Sequence, residues 1–411
     1  MRVGIDLGDH PAEIGGGYTF TNEIFWSLLK LRSETRHEFI IFHRTKEPPQ
    51  GISAEHIQYI SLYRSPIQRL VSRASRISKK IIHKVRRSRN QLHVTDWVQR
   101  IVFSSGVEIM WNLTPFTCIT MEIPYITVVW DLQHRLQPYF PEVSAEGSWS
   151  WRETNFADLC RRASVIIAGT EAGKAQIEYF YQVPGNRIRI LPHPTPSFAL
   201  DAPSGDGAEV LNKYSIPEGY LFYPAQFWPH KNHAGLLLAA ELLRDEYNLV
   251  FPLVFAGSDR GNYEHIRELA DLLDLSAQVY LLGFVPQEDL ISLYRKAFAL
   301  TYVTFFGPEN LPPLEAFALG CPVIASNVEG AQEQLGDAAV LVDPKDPREI
   351  AFAVKALHDD VTWRQTLIQR GLKRARRFTG EDFVNGTLSV LDDFELVRRC
   401  WSNKKLYHQI R

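Results

Sequence analysis

Apolar and β-branched runs recur along the chain in two series. Arg2 to Leu7, His37 to His43, His56 to Leu62, Val107 to Leu113, Tyr125 to Trp130, Ser164 to Gly169 and Arg187 to Leu191 form the first. Tyr220 to Pro224, Val250 to Gly257, Val279 to Gly283, Phe298 to Val303 and Ala338 to Val342 belong to the second. Most of these runs are continuous rather than alternating, as strands covered on both faces require. Helical spacing appears between them, for instance in Tyr18 to Leu29, where Phe20, Ile24, Phe25, Leu28 and Leu29 share a face. Strands alternating with helices predict an α/β fold with a doubly wound parallel sheet in each half. The stretch Leu191 to Gly207, rich in Pro, Ser and Gly, marks the boundary, so domains are expected at 1–195 and 208–380. A last helical stretch runs from Glu381 to Tyr407.

One stretch concentrates the chemistry. After the strand Phe298 to Val303 comes a loop, then Pro312 and Pro313, which suit a helix start because their missing N–H groups would be unpaired there anyway. Leu314, Phe317, Ala318 and Leu319 follow at helical spacing, and Gly320 can end the helix in the left-handed region. This places Glu315 in the first turn of a helix at the carboxyl end of a strand, where open α/β sheets bind their ligands. The free N–H groups of that turn, with Gly307, Glu309, Asn310 and Leu311, suit phosphate or sugar oxygens. As an anion, Glu315 suits the hydroxyls of a ribose; the plainer alternative is that it only complements the helix dipole, worth about 0.3–1 kcal/mol.

Other candidates lie at strand ends. Gly15, Gly16 and Gly17 follow the first strand and let backbone N–H groups approach an anion, or form a simple flexible turn. Trp130 to His134 (WDLQH) offers Asp131 and His134 to a substrate, or else a turn Asp and a surface His. Lys231 precedes a helix that Asn232 can cap, and there it would meet a diphosphate or simply face water. Gly257 and Ser258, and the turn with Phe284 and Val285, fit nucleotide-binding turns; backbone groups at Phe284 and Val285 face a base edge in that reading. Thr170 is a candidate cap for the helix after the strand ending at Gly169. Gln137 to Trp151 reads as an aromatic loop or lid suited to acceptor recognition.

Composition narrows the class. At 411 residues with 45% hydrophobic content, the chain can bury two cores, and a formal charge of −2 gives no sign of nucleic acid. Four scattered cysteines carry neither metal-ligand spacing nor a disulfide framework. No apolar run has the length of a membrane span or a signal-peptide core, so the cytosol is the expected compartment. Residues 65–90 are strongly basic, without Asp or Glu, and Ile67, Leu70, Val71, Ala74, Ile77, Ile81, Ile82 and Val85 recur at helical spacing. A basic amphipathic helix of this kind fits an anionic membrane surface or an ordinary surface of the domain. The first of these would make the protein peripheral on the inner face of the cytoplasmic membrane.

Leu311 to Ala316 (LPPLEA) resembles the donor-site signature of the nucleotide-sugar glycosyltransferases of family 4, whose fold is GT-B: two Rossmann-like domains facing a cleft. In that family a Glu, seven residues and a second Glu frame a turn of the type EGFGLPPLEA. Glu315 matches the second Glu, but Gly307 stands in place of the first and Glu309 falls two places late. That departure leaves Asn310 and the local backbone to hold the donor sugar. A His often precedes the family's Asp, where this chain has Trp130, so Asp131 and His134 inherit the candidacy. Lys231 matches a family Lys, while Gln226 stands about where an Arg is expected, with His230 or Arg260 to compensate. The resemblance covers essentially the whole chain and implies that the glycine turn and the Thr170 turn face the cleft and that the last helix crosses back to the first domain. It further implies a retaining transfer of a hexose-type sugar from a UDP-, GDP- or ADP-sugar, without metal or other cofactor, to a saccharide or lipid-linked acceptor in polysaccharide or O-antigen assembly. No DxD motif stands in a suitable turn. Two rivals are a sugar-nucleotide epimerase of the same fold and a catalytically silent nucleotide-binding scaffold.

Overall fold

The computed structural model describes residues 1–7, 15–45, 57–63, 96–116, 122–205 and 207–401. The basic stretch 65–90 and the end of the expected last helix, from 402 on, lie outside the described residues. Among those described, two parallel sheets are built from β1 (Arg2–Asp6), β2 (Glu38–His43), β3 (Ile57–Ser61), β4 (Ile109–Asn112), β5 (Tyr125–Val128), β6 (Val165–Ala168) and β7 (Ile188–Ile190), then β8 (Leu221–Pro224), β9 (Leu253–Ala256), β10 (Val279–Leu281), β11 (Ala299–Tyr302), β12 (Val323–Ser326) and β13 (Ala339–Val342). The first sheet has the order β3-β2-β1-β4-β5-β6-β7 and the second β10-β9-β8-β11-β12-β13. In each the strand order reverses beside its first strand, between β1 and β4 and between β8 and β11. Ligands of doubly wound sheets bind outside the strand ends at such switch points.

The apolar runs become buried strands: β4, β5, β9, β11 and β12 are buried at every residue. Helices cover both faces of each sheet and complete its core. Helix Gly16–Leu31 packs Phe20, Ile24 and Leu28 beside Phe383, Val384, Leu388 and Leu391 of the last helix, Gly380–Arg398. Thr379 and Asp382 form a capping box at the start of that last helix. Ion pairs Lys30–Glu381 (3.5 Å), Arg36–Asp392 (2.8 Å) and Arg398–Glu108 (3.4 Å) tie its length to the first sheet's half.

Local signals hold at the caps. The Thr170 hydroxyl accepts from Gly173 N, the Asn232 side chain accepts from Gly235 N, and Gly320 has φ 73°. Two expectations change. Gln137 to Trp151 is not an open loop: Pro141 starts a short helix, Pro141–Ser144, which buries Val143, and Gly147 (φ 77°) turns the chain into helix Ser148–Arg162. The helix bearing Glu315 begins at Leu311, not at the prolines, so Glu315 lies in its second turn and its first turn carries no acid. The plain dipole-cap alternative for Glu315 therefore loses its basis, since the effect fades beyond the first turn.

Candidate functional site

The turns that follow β1, β5, β8, β9, β10 and β11 enclose a cavity of about 410 Å³ between the two sheets. Gly15, Gly16 and Gly17 form one wall, with Gly16 and Gly17 now the first residues of a helix. A Cβ on Gly17 would come within 3.2 Å of the Trp130 ring, so the missing side chain lets the helix start close to the strand end. A second chamber of about 360 Å³ opens on the first half's side and shares Gly17, Trp130, Asp131, Trp228 and His230 with the first. Asp131 thus stands where the two chambers meet, its Oδ1 accepting from Gln133 N at 3.0 Å.

Lys231 ends the turn Pro229–Lys231, and the turn is fixed by the residue after it. The Asn232 amide donates to Val303 O (2.9 Å) and Pro344 O (2.8 Å), tying the turn to the segments just after β11 and β13. Lys231 Nζ donates to the Tyr302 hydroxyl at 2.9 Å and lies 5.2 Å from that ring's centre. Its ammonium is therefore held at a fixed place in the cavity wall. The two expected compensators for the missing Arg do not act as cavity cations. His230 is bonded to Glu142, and burial lowers its pKa against the opposing pull of that carboxylate. Arg260 lies 5.7 Å above the Trp228 ring and is not among the residues lining the cavity. Gln226 lines it, accepting from Trp228 Nε1 at 3.0 Å.

Glu315 is 6% exposed, and its Oε2 accepts from the Tyr294 hydroxyl at 2.7 Å. Burial pushes its carboxyl up to about 7, with the Tyr294 hydrogen bond opposing. The Glu309 side chain is also buried; its Oε1 accepts from His193 N at 2.7 Å, and burial pushes it up to about 8. Between them, Asn310 N donates to Gln334 Oε1 (2.9 Å), Gln334 Nε2 returns to Asn310 O (3.0 Å), and the Asn310 amide donates to Gly307 O (2.9 Å). Leu311 also lines the cavity. On the far wall, a methyl group at Gly257 would lie 2.2 Å from Ala225 O, so only glycine lets β8 and β9 approach there. Ser258 lies beside it; Val285 is buried and Phe284 is 53% exposed at the wall.

One candidate falls away. His134 is fully buried and outside the cavity, its Nε2 3.1 Å from the Tyr181 hydroxyl and 3.3 Å from Glu153 Oε2, with its ring stacked on Phe156. The short helix Gln133–Leu136 turns it inward, and burial lowers its pKa. It is a core residue that supports the turn. Sequence reasoning had also passed over the Tyr302 anchor, the Tyr294 partner, the Trp228 wall and His193. Tyr302 carried a signal: it is the last residue of its strand, at the carboxyl end where ligands of parallel sheets bind. Trp228 is held locally by Gln226, whereas Tyr294 and His193 meet Glu315 and Glu309 from other elements.

A family model described as "Glycosyl transferases group 1" matches residues 211–374. The O-antigen chain mannosyltransferase B of Escherichia coli is 30% identical over 252 residues, 61% of this chain and 66% of that protein. Serotype-specific mannosyltransferase WbdA of the same species is 27% identical over 270 residues, 63% of this chain and 33% of that protein. The chain thus spans under two thirds of these relatives' own lengths. Sucrose-phosphate synthase from Thermosynechococcus elongatus superposes with a TM-score of 0.70 at 17% identity, over 96% of this chain and 99% of that one. With two facing parallel sheets and the LPPLEA turn at the second switch point, the chain has the GT-B fold, and its residues 211–374 match the group 1 glycosyltransferase family.

Proposed function

We propose that the chain moves a hexosyl group, mannosyl by analogy with the two relatives above, from a nucleoside-diphosphate sugar to a saccharide acceptor, with retention of configuration. The observation that carries this reading is the convergence of Lys231, Glu315, residues 309–311 and the Gly15–Gly17 turn on one cavity. In this reading Glu315 holds the ribose, the turns at Gly257–Ser258 and Phe284–Val285 face the base, and the loop at Glu309–Leu311 faces the sugar. The acceptor occupies the second chamber, with Asp131 at the junction orienting the reacting hydroxyl. The bond from the sugar's anomeric carbon to the phosphate oxygen breaks, and a bond to the acceptor oxygen forms on the same face. The acceptor's proton passes to the departing phosphate, so no protein base is needed. Lys231 stabilises the charge that develops on the diphosphate.

A thermal-shift screen against UDP, GDP, ADP and their common sugars tests the reading. Ligand at 100 times its dissociation constant stabilises by about 2.7 kcal/mol, and one base should do so selectively. The second reading, a silent nucleotide-binding scaffold, is favoured by Gly307 and Gln226, which replace two charges expected in the family. It gains the lead if no nucleotide shifts the melt, or if a bound nucleotide sugar is neither transferred nor hydrolysed.

Residues 65–90 extend the proposal to a lipid-linked acceptor at an anionic membrane, each nearby basic residue contributing about 1 kcal/mol. No described helix is long and apolar enough to cross a membrane. Sedimentation with anionic liposomes should be lost on charge reversal of Lys79, Lys80, Lys84 and Arg87. Unchanged sedimentation would remove this extension.

A further inference from the structure

The cavity wall contains a carboxyl group buried in the opposite half of the molecule. Glu309 belongs to the loop after β11, yet its side chain, 3% exposed, reaches the corner between β6 and helix Glu171–Tyr181. Its Oε1 takes the His193 N–H from the segment after β7. A methyl group on Gly169 would lie 1.2 Å from Glu309 Oε2 and 2.1 Å from its Cδ. The carboxyl therefore occupies the space that any side chain at 169 would fill. Gly169 is not among the residues of positive φ, so its backbone places no demand for glycine. Space alone demands it.

The same corner receives two more acids from the second half. Glu333 accepts from Glu171 N (2.7 Å) and Ala172 N (3.2 Å), and Glu329 accepts from Gln176 Nε2 (2.7 Å). The two Glu333 bonds are exposed and the Glu329 bond is part-buried, as ordinary seam contacts are. Glu309 differs because it enters the backbone layer itself, and because it lies two residues before the helix that carries Glu315.

We propose that Glu309 is a positioning residue whose carboxyl keys into the slot opened by Gly169, fixing the donor-side loop 307–311 against the first half and hence against Asp131. The importance of that registration for transfer rests on the function proposed above; the key and slot rest on the geometry alone. Displacing reacting groups by about 1 Å can cost about 10²-fold in rate, so the effect belongs in kcat rather than in nucleotide affinity.

The test is a double-mutant cycle on the full chain with Gly169→Ala, Glu309→Ala and their combination, plus Glu309→Gln. Gly169→Ala and Glu309→Ala should each lower kcat by about 10- to 100-fold, leave the nucleoside diphosphate dissociation constant within about twofold, and lower the melting temperature. The combined variant should be no worse than Glu309→Ala, because an empty slot accepts the methyl group. Glu309→Gln, which still accepts from His193 N and matches the volume, should recover most of the loss. Additive losses, or a silent Gly169→Ala, would overturn the proposal. The melting temperature and the radius of gyration carry the cycle without any assay of transfer. Coupling in these two measurements, without sugar transfer by any variant, would retain the key and slot and reject the transferase reading instead.

Discussion

Lys231→Ala should slow sugar transfer by about 10²- to 10³-fold, the range found when one pre-aligned donor to a developing oxyanion is removed, and change nucleotide affinity far less. Lys231 is the one lysine or arginine among the described residues that line the donor cavity. Where the family places an Arg, this chain has Gln226, and the histidines at 193 and 230 are pushed toward the neutral form by burial. In the proposed reaction the departing diphosphate would thus meet a single ammonium from the described cavity wall. Tyr302 holds it in place, so Tyr302→Phe should cost less than Lys231→Ala, because it frees the ammonium without removing it. Single-turnover kinetics with the activated nucleotide sugar separate the chemical step from binding. A Lys231→Ala enzyme whose chemical step stays within about threefold of the parent would rule out this role for the cation.

Much of this arrangement was legible in the sequence because buried parallel strands leave continuous apolar runs, and their carboxyl ends mark the ligand side. FALTYV became β11, and the LPPLEA turn landed at the switch point beside it. Caps at Thr170 and Asn232 were equally local, depending on residues three apart. The failures share a cause. His134 follows Asp131 by three residues at a strand end, yet its direction is fixed by Tyr181 and Glu153, which no local pattern connects to it. Glu309 looked like a misplaced motif residue, and its slot at Gly169 lies in the other half of the chain. The start of the Glu315 helix moved by one residue because Leu311 is buried and adopts helical geometry ahead of the prolines, which changed the turn in which Glu315 lies.

Glu315→Gln should make the unliganded protein more stable and a poorer nucleotide binder, each in a pH-dependent way. The native carboxyl is held at about 7 against an ordinary value of 4.5. Below pH 4.5 both native and unfolded forms are protonated and the wild type bears no penalty. Between 4.5 and 7 the unfolded chain releases the proton more readily, so native stability falls as pH rises, by on the order of 3 kcal/mol once above 7. Glutamine keeps the volume and the acceptor for Tyr294 but never ionises, so its stabilising effect should be large at pH 8 and vanish near pH 4.5. Ribose hydroxyls reverse the preference, since they donate to the charged carboxylate. Nucleotide binding to the wild type should therefore release a proton below pH 7 and strengthen as pH rises to 7. Hydrogen bonds to charged groups contribute about 1.5–3 kcal/mol, so the Gln variant should bind roughly 10- to 150-fold more weakly at pH 8. Calorimetry in two buffers of different ionisation enthalpy, at pH 6 and pH 8, reads both quantities, and subtracting the variant removes the titration of the nucleotide's own phosphate. Equal affinity in the two proteins would move the ribose away from Glu315. A stability gain that is the same at pH 5 and pH 8 would show that the buried carboxyl is not the group that titrates.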